Sequence, residues 1–448
     1  LVSVSSRLLL LNGNTRRCDT CYACVPSVMS DAIAEPTRED GLRRLDEFAS
    51  RAGARYTTSR SFDFGPGRRG NVSALSPYIR HRLVFEQELL ETVLQRHPLV
   101  AASKFMEEVF WRAYFKGWLE QHPDVWVDYR TSLSKELAKL DADSGLLKRY
   151  ERAVAGNTGI DCFDAWVDEL ITTGYLHNHA RMWFASIWVF TLQLPWQLGA
   201  DLFYRHLIDG DPAANTLSWR WVCGLHTQGK TYLARADNIN KYTDGRYNPD
   251  GQLATSAPAL TETRDFPLKP LPAAQALQPG ERFGLLITEE DACPASLLDD
   301  AVPASILGAV ATGLRSPLPV GGPAREFAKG AVVDAVARVT RSLAVSGEVT
   351  ASDDWGSLLV EWATKNRIEA IATAYAPVGP VAELLALAGD PLERNGIRLV
   401  QLRRAYDNVS WPHAGRGYFK LRKQIPALLE QLVPTVSQSE TLRDRSHS

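Results

Sequence analysis

The 448 residues carry a formal net charge of −2, with 45% hydrophobic and 23% charged residues. That composition fits a globular chain of two to three domains and excludes a disordered polyelectrolyte. It also excludes a global basic field that would draw the chain to nucleic acid, leaving only a local basic groove open. No run of 18 apolar residues occurs, so no membrane span is predicted.

Residues 1–35 read as a disordered or extraneous leader, and Met29 is a candidate start. LVSVSSRLLLLNGNTRR has arginines beside a short apolar patch but lacks an h-region and cleavage site. A signal peptide is not predicted, whereas organellar targeting by this leader stays open. CDTCYAC spaces Cys18, Cys21 and Cys24 as three thiolates could be spaced for zinc or an iron–sulfur cluster. It has no fourth ligand nearby, so no metal is expected. Cys162, Cys223 and Cys293 are scattered, which implies no disulfide framework and a reducing compartment, the cytoplasm or nucleoid.

From Thr37, TREDGLRRLDEFASRA predicts a capped helix with Leu42, Leu45 and Phe48 at helical spacing. A Gly-, Ser- and Arg-rich loop follows and enters a helix at Ser76-Pro77, with Pro at the first helical position. From there to about Pro249 the apolar residues recur at three and four, and no strand interrupts them. HNHARMWFASIWVFTLQ reads as one continuous helix. Arg80, Arg82, Lys116 and His177 read as positive charge on solvated helix faces. Residues 36–250 therefore form an all-α domain, and 251–281, rich in Pro, Ala and Thr, a linker. Beyond it FGLLIT (283–288), IEAIATAY (368–375) and IRLVQL (397–402) read as strands. Helical stretches at about 327–344, 356–364, 379–388 and 419–432 lie among them. Residues 282–435 thus form a smaller α/β domain with a parallel sheet, and 436–448 a polar tail.

The chain has 12 tryptophans, and nine of them fall from Trp111 to Trp221. That concentration means either a large aromatic core or a site that uses indoles. DLFYRHLIDGDPAANTLSWRWVCG (201–224) sets Asp209, Asp211 and Asn215 at a helix–helix turn, followed by Trp219 and Trp221. It reads equally as a capped junction in a helical core and as a wall holding a polar, flat, redox-active molecule.

Four motifs in order, NVSALSPY (71–78), FMEEVFWRAYF (105–115), TGYLHNHARMWFAS (173–186) and PWQLG with HLIDGDPAANTLSWRWVCG (195–224), resemble the FAD-binding catalytic domain of the DNA photolyase/cryptochrome family. The resemblance covers roughly residues 37–250. In that family the α/β domain precedes the helical one, whereas here an α/β region follows it. The arrangement looks permuted, and the antenna chromophore is left unassigned.

The resemblance implies FAD as cofactor and the following site. Ser73, Leu75 and Ser76 would cradle the FAD phosphates, at a helix start where N–H groups and the dipole favour an anion. Ser73 reads equally as an N-capping serine. Tyr56 would be a phosphate-contacting tyrosine. Arg112 would face the flavin cavity, Arg181 and Asp209 would pair beside the ring, and Asp211 would accept from its imide. Asn215 would sit opposite the flavin N5, where plant-type cryptochromes carry Asp, so it favours repair over signalling. Trp219 and Trp196 match two members of the family's electron-transfer chain. No tryptophan matches the third, near Asp143, and Trp126, Trp183 and Trp188 are the candidates to replace it, although Trp183 and Trp188 read first as core aromatics. Glu108, Trp111, Asn178, Met182 and Trp221 match positions lining the pyrimidine-dimer pocket, with Glu108 as the catalytic hydrogen-bonding acid. His179 stands where an Arg usually grips DNA. The implied activity is blue-light-driven splitting of cyclobutane pyrimidine dimers in UV-damaged DNA by reduced FAD. The rival is a cryptochrome-like photoreceptor that binds FAD and repairs nothing.

Overall fold

A computed structural model describes residues 34–433. The leader with its CDTCYAC motif and the polar tail from 434 lie outside the described residues. The helical part comprises α1 (Arg38–Ala49), α2 (Ala54–Ser59), α3 (Ser76–Arg80), α4 (Glu86–Leu94), α5 (Leu99–Gln121), α6 (Asp124–Ala142), α7 (Ser144–Val154), α8 (Asp161–Thr173), α9 (Asn178–Ser186), α10 (Trp196–His206), α11 (Pro212–Val222) and α12 (Ala236–Tyr242). No regular element lies between Tyr242 and Phe283. There follow β1 (Phe283–Thr288), β2 (Ile306–Ala309), α13 (Gly322–Leu343), β3 (Gly347–Thr350), α14 (Trp355–Asn366), β4 (Ala370–Ala374), α15 (Pro380–Arg394), β5 (Arg398–Leu402), α16 (Ala405–Ser410) and α17 (Tyr418–Leu432).

Local chemistry sets several of these boundaries. The Thr37 hydroxyl caps α1 by accepting from the Asp40 N–H at 3.2 Å. Helix α8 ends on Gly174 at φ 66, a left-handed cap that glycine adopts without a Cβ penalty. The helix expected through residue 193 is instead α9 followed by a π-helical turn, Ile187–Thr191. Bulky side chains crowd that turn: Trp188 packs against Phe184 and Trp219.

The sheet is wholly parallel, in the order β3-β2-β1-β4-β5. That is a doubly wound arrangement with its switch point between β1 and β4. One face, through Leu286, Leu307 and Ile371, packs under Leu359, Trp362 and Leu385 of α14 and α15. The other face, through Leu285, Ile287 and Ala372, packs on α13 and α17 and shares one continuous core with Leu45, Phe48, Leu90 and Phe105 of α1, α4 and α5. A second core holds the later helices and most of the tryptophans. Helix α5 touches the C-terminal part closely at Gly117, where a Cβ would lie 2.9 Å from the Trp411 Cα.

Candidate functional site

Helix α5 aligns Glu108, Trp111 and Arg112 on one face by their spacing of three and four. The α10–α11 turn brings Asp209 and Asp211 beneath them. Asp211 is the N-cap of α11: its Oδ1 accepts from the Ala214 N–H at 2.8 Å, ahead of Pro212 at the first helical position. It is fully buried, which alone would raise its pKa. Lys116 at 3.6 Å, Arg80 at 3.7 Å and the nearby Arg112 overcome that and hold it well below the usual carboxylate range. Asp209 is shifted the same way, with burial opposed by Arg181, the Ser76 hydroxyl and Arg112. Arg181 donates to Asp209 Oδ2 at 3.0 Å.

Around this turn several polar atoms are buried without a hydrogen-bond partner: Arg112 Nε and Nη2, Asp209 Oδ1 and Asp211 Oδ2. Each such atom costs about 1–3 kcal/mol, and more when charged. A ligand offering both donors and acceptors would satisfy them. The Ser73–Ser76 segment adds a second feature. Ala74 is left-handed at φ 51 and Leu75 is right-handed helical. This succession turns consecutive backbone N–H groups to one side, making a concavity that suits an anion. Helix α3 itself is only one turn long, so the loop, not a helix dipole, makes this feature. These donors and acceptors fit a flavin ring and its pyrophosphate.

The other predicted residues fall as follows. The Tyr56 hydroxyl, expected on a phosphate, donates to Glu108, which also pairs with Arg60. Burial pushes the Glu108 carboxyl upward, against the pull of Arg60 and Tyr56. Asn215 Nδ2 donates to the Ala200 carbonyl at 2.8 Å. Trp219 is buried against Phe203 and Trp188, with Gly199 making room: a Cβ there would lie 2.3 Å from the Trp219 ring. Trp196 lies instead on Tyr129, centroids 5.7 Å apart, and Tyr129 contacts Trp126 at 5.4 Å. Asn178 is exposed at the start of α9 and Met182 is half-buried. His179 is turned inward, with Nδ1 2.6 Å from the Ser61 carbonyl and its ring stacked on Trp183. Trp221 lies on Tyr232. Trp111 is covered by Tyr418 of α17, the rings 3.5 Å apart and 11° from parallel.

The reading of Arg80, Arg82, Lys116 and His177 as solvated charges is overturned: they are 1%, 2%, 5% and 4% exposed. Their partners lie far along the chain. Arg80 makes two 2.6 Å bonds to Glu290 and a third to the Gly210 carbonyl. Arg82 binds Asp407 at 2.7 and 2.8 Å, and Arg404 binds Asp291 at 2.6 and 2.8 Å. The Glu120 carboxylate accepts from the Val378 N–H and the Tyr375 hydroxyl, both at 2.6 Å. Glu290, Asp291, Tyr375 and Val378 all follow β1 or β4, at the sheet's switch point, where such folds commonly hold a ligand. Here α5 and the start of α11 fill that place. The crevice left between Lys116, Glu120, Asp211, Glu290 and Val378 is too tight to admit a water molecule. The signal for this junction was present in sequence as four polar residues, Thr288 to Asp291, closing an otherwise apolar strand.

A helical bundle with a buried, partly unsatisfied Arg–Asp centre, sealed against a doubly wound sheet, has the build of a cofactor-binding catalytic domain. Its sequence agrees: residues 105–263 match the family described as the FAD binding domain of DNA photolyase. Over those residues the helical unit is similar to that family. The deoxyribodipyrimidine photo-lyase of Streptomyces griseus is 33% identical over 181 residues, 38% of each chain. That of Thermus thermophilus is 31% identical over 223 residues, 49% of this chain and 50% of the relative. That of Escherichia coli is 27% identical over 250 residues, 54% and 50%. The chain thus spans half or less of the length of these curated relatives. A class III photolyase structure from Agrobacterium tumefaciens matches at 26% identity over 46% of this chain and 43% of that one, with a TM-score of 0.38.

Proposed function

We propose that this protein binds FAD and uses blue light to split cyclobutane pyrimidine dimers in UV-damaged DNA. The observation that carries this reading is the set of unpaired buried polar atoms on Arg112, Asp209 and Asp211, inside a segment that matches a photolyase FAD-binding domain. When bound, reduced FAD supplies the light-excited electron donor. Arg181 fixes Asp209 and leaves its Oδ1 as an acceptor for the ring. Asp211, kept ionised by Lys116 and Arg80, is acceptor-only and suits an imide N–H. The Ser73–Leu75 concavity suits the pyrophosphate. Asn215, anchored on the Ala200 carbonyl, presents an amide with no acidic proton to give, which favours an anionic reduced ring.

On the substrate side Glu108, with its raised carboxyl, supplies the hydrogen bond to the dimer. Trp111 and Trp221 supply rings on which extruded bases stack, Trp111 once Tyr418 gives way to the base, since a lesion inside a duplex must be flipped out to be reached. Asn178 and Met182 complete that wall. Trp219 and Trp196 carry electrons to the ring, the buried Trp219 from within the bundle. The test is to illuminate the reduced, flavin-loaded protein with an oligonucleotide holding one thymine dimer. Restored thymines in the light and none in the dark are expected. Full flavin occupancy with no light-dependent restoration would sink the reading and leave a photoreceptor.

A further inference from the structure

Between Asn408 and Leu429 the chain has no acidic residue, although the whole protein carries a net charge of −2. This stretch holds His413, Arg416, Lys420, Arg422 and Lys423. Helix α17 sorts them. Tyr418, Leu421, Ile425 and Leu428 face the core. Phe419, Lys420 and Lys423 lie on the opposite side of the helix, Arg416 stands just before its N-cap Gly417, and all four are exposed. None of Arg416, Lys420 and Lys423 has an ion-pair partner among the described residues, whereas Arg422 is held by Glu107 at 2.8 Å. Phe419 is 74% exposed, a large apolar ring set among these cations.

The position of this stripe is fixed by its neighbour. Tyr418 lies flat on Trp111 and donates from its hydroxyl to the Glu107 carbonyl at 2.8 Å. The first turn of α17 therefore forms the lip above the Trp111–Glu108 face of α5. His179 of α9 is turned inward, its Nδ1 held at the Ser61 carbonyl.

We propose that the outward face of α17, with Arg416 just ahead of it, is a docking surface for the phosphodiester backbone of DNA: Arg416, Lys420 and Lys423 contact successive phosphates and Phe419 stacks against an exposed base. This rests on the reading of Trp111 as a base-stacking residue. A regular row of unpaired cations matches a regular row of phosphates, an interposed aromatic is what single-stranded or unstacked DNA selects, and the row borders the pocket that must receive the flipped base.

The test is equilibrium binding of the flavin-loaded protein to a dimer-containing oligonucleotide at several salt concentrations. Parent protein and the triple variant R416Q/K420Q/K423Q are compared, with flavin content measured for both. The variant is expected to bind more weakly at low salt, with a log–log salt slope shallower by about 3, roughly one per lost phosphate contact. Its flavin content and thermal midpoint should match the parent's, because no buried partner is removed. A parent that repairs dimers in the light together with a variant of unchanged slope overturns the docking surface and leaves the photolyase reading intact. A flavin-loaded parent that binds no DNA overturns both. Loss of binding by the variant to phosphatidylserine vesicles but not to DNA assigns the stripe to a membrane and overturns the proposal.

Discussion

Two neighbouring regions bury charge to the same depth and differ in how they answer it. At the junction with the sheet, Arg80, Arg82 and Arg404 each meet a carboxylate through two hydrogen bonds. One turn of α5 away, Arg112 leaves two buried nitrogens without partners, and Asp209 and Asp211 each leave an oxygen. The first region answers each guanidinium with a two-pronged carboxylate, with Arg82 Nε and Glu86 Oε2 its atoms left without a hydrogen bond. The second gathers its unpartnered donors and acceptors around one turn. Burial alone therefore does not mark a candidate ligand site; what distinguishes this turn is the clustering of unanswered donors and acceptors on Arg112, Asp209 and Asp211.

Four measurements break or sharpen that contrast. Removing a partner at the carboxylate-paired junction has the largest effect. Glu290→Ala strands Arg80 and should cost about 3–5 kcal/mol of unfolding free energy in denaturant titrations. A loss under 1 kcal/mol would show that the junction is not closed. Arg112→Met should do the reverse: flavin-free stability holds, while FAD affinity falls by about 1.5–3 kcal/mol, read by equilibrium dialysis. Equal destabilisation of the flavin-free protein by both variants would erase the distinction between the regions.

Third is acidification. His206, buried beside Arg205, has its pKa lowered to about 3. The unfolded chain protonates it near pH 6.5 and the folded chain does not, so stability falls as pH drops from 6.5 toward 3. The slope from this residue is about 1.4 kcal/mol per pH unit. His206→Gln should flatten that window in pH-dependent unfolding, and an unchanged slope would assign the effect elsewhere. The smallest effect is at the lip. Tyr418→Ala removes a stacked ring pair worth about 0.5–1.5 kcal/mol beyond its buried area. It also uncovers Trp111, so affinity for a dimer-containing oligonucleotide should rise. Unaltered or weaker binding would mean that Tyr418 does not compete with a base.

Legibility in the sequence followed the range of the interactions. FGLLIT was readable because a strand buried on both faces is apolar throughout. GEVT was not: β3 is four residues at the sheet edge, half exposed, with a glycine and a glutamate. ILGA was too short to separate from a buried helical fragment. The Asp209–Asp211 turn could be found because its acids, capping aspartate and proline stand together in a few residues. Arg80 and Arg82 were misjudged because their carboxylates lie 210 and 325 residues further on. Local pattern carries no trace of such a partner. The cover over Trp111 was invisible for the same reason, since Tyr418 comes 307 residues after it.

The core shared between one face of the sheet and α1, α4 and α5 has a consequence for how the chain is made. Synthesis delivers the helical half first, with Tyr78 lacking Phe327, Trp111 lacking Tyr418, Arg80 lacking Glu290 and Arg82 lacking Asp407. Contacts of such sequence separation form slowly, because the intervening loop must close before they repay its entropy. The helices that carry the candidate flavin site therefore reach their final packing only after the last strand and helix have left the ribosome. Until then the face of α5 that carries Trp111 and the guanidinium groups of Arg80 and Arg82 stand without their C-terminal partners.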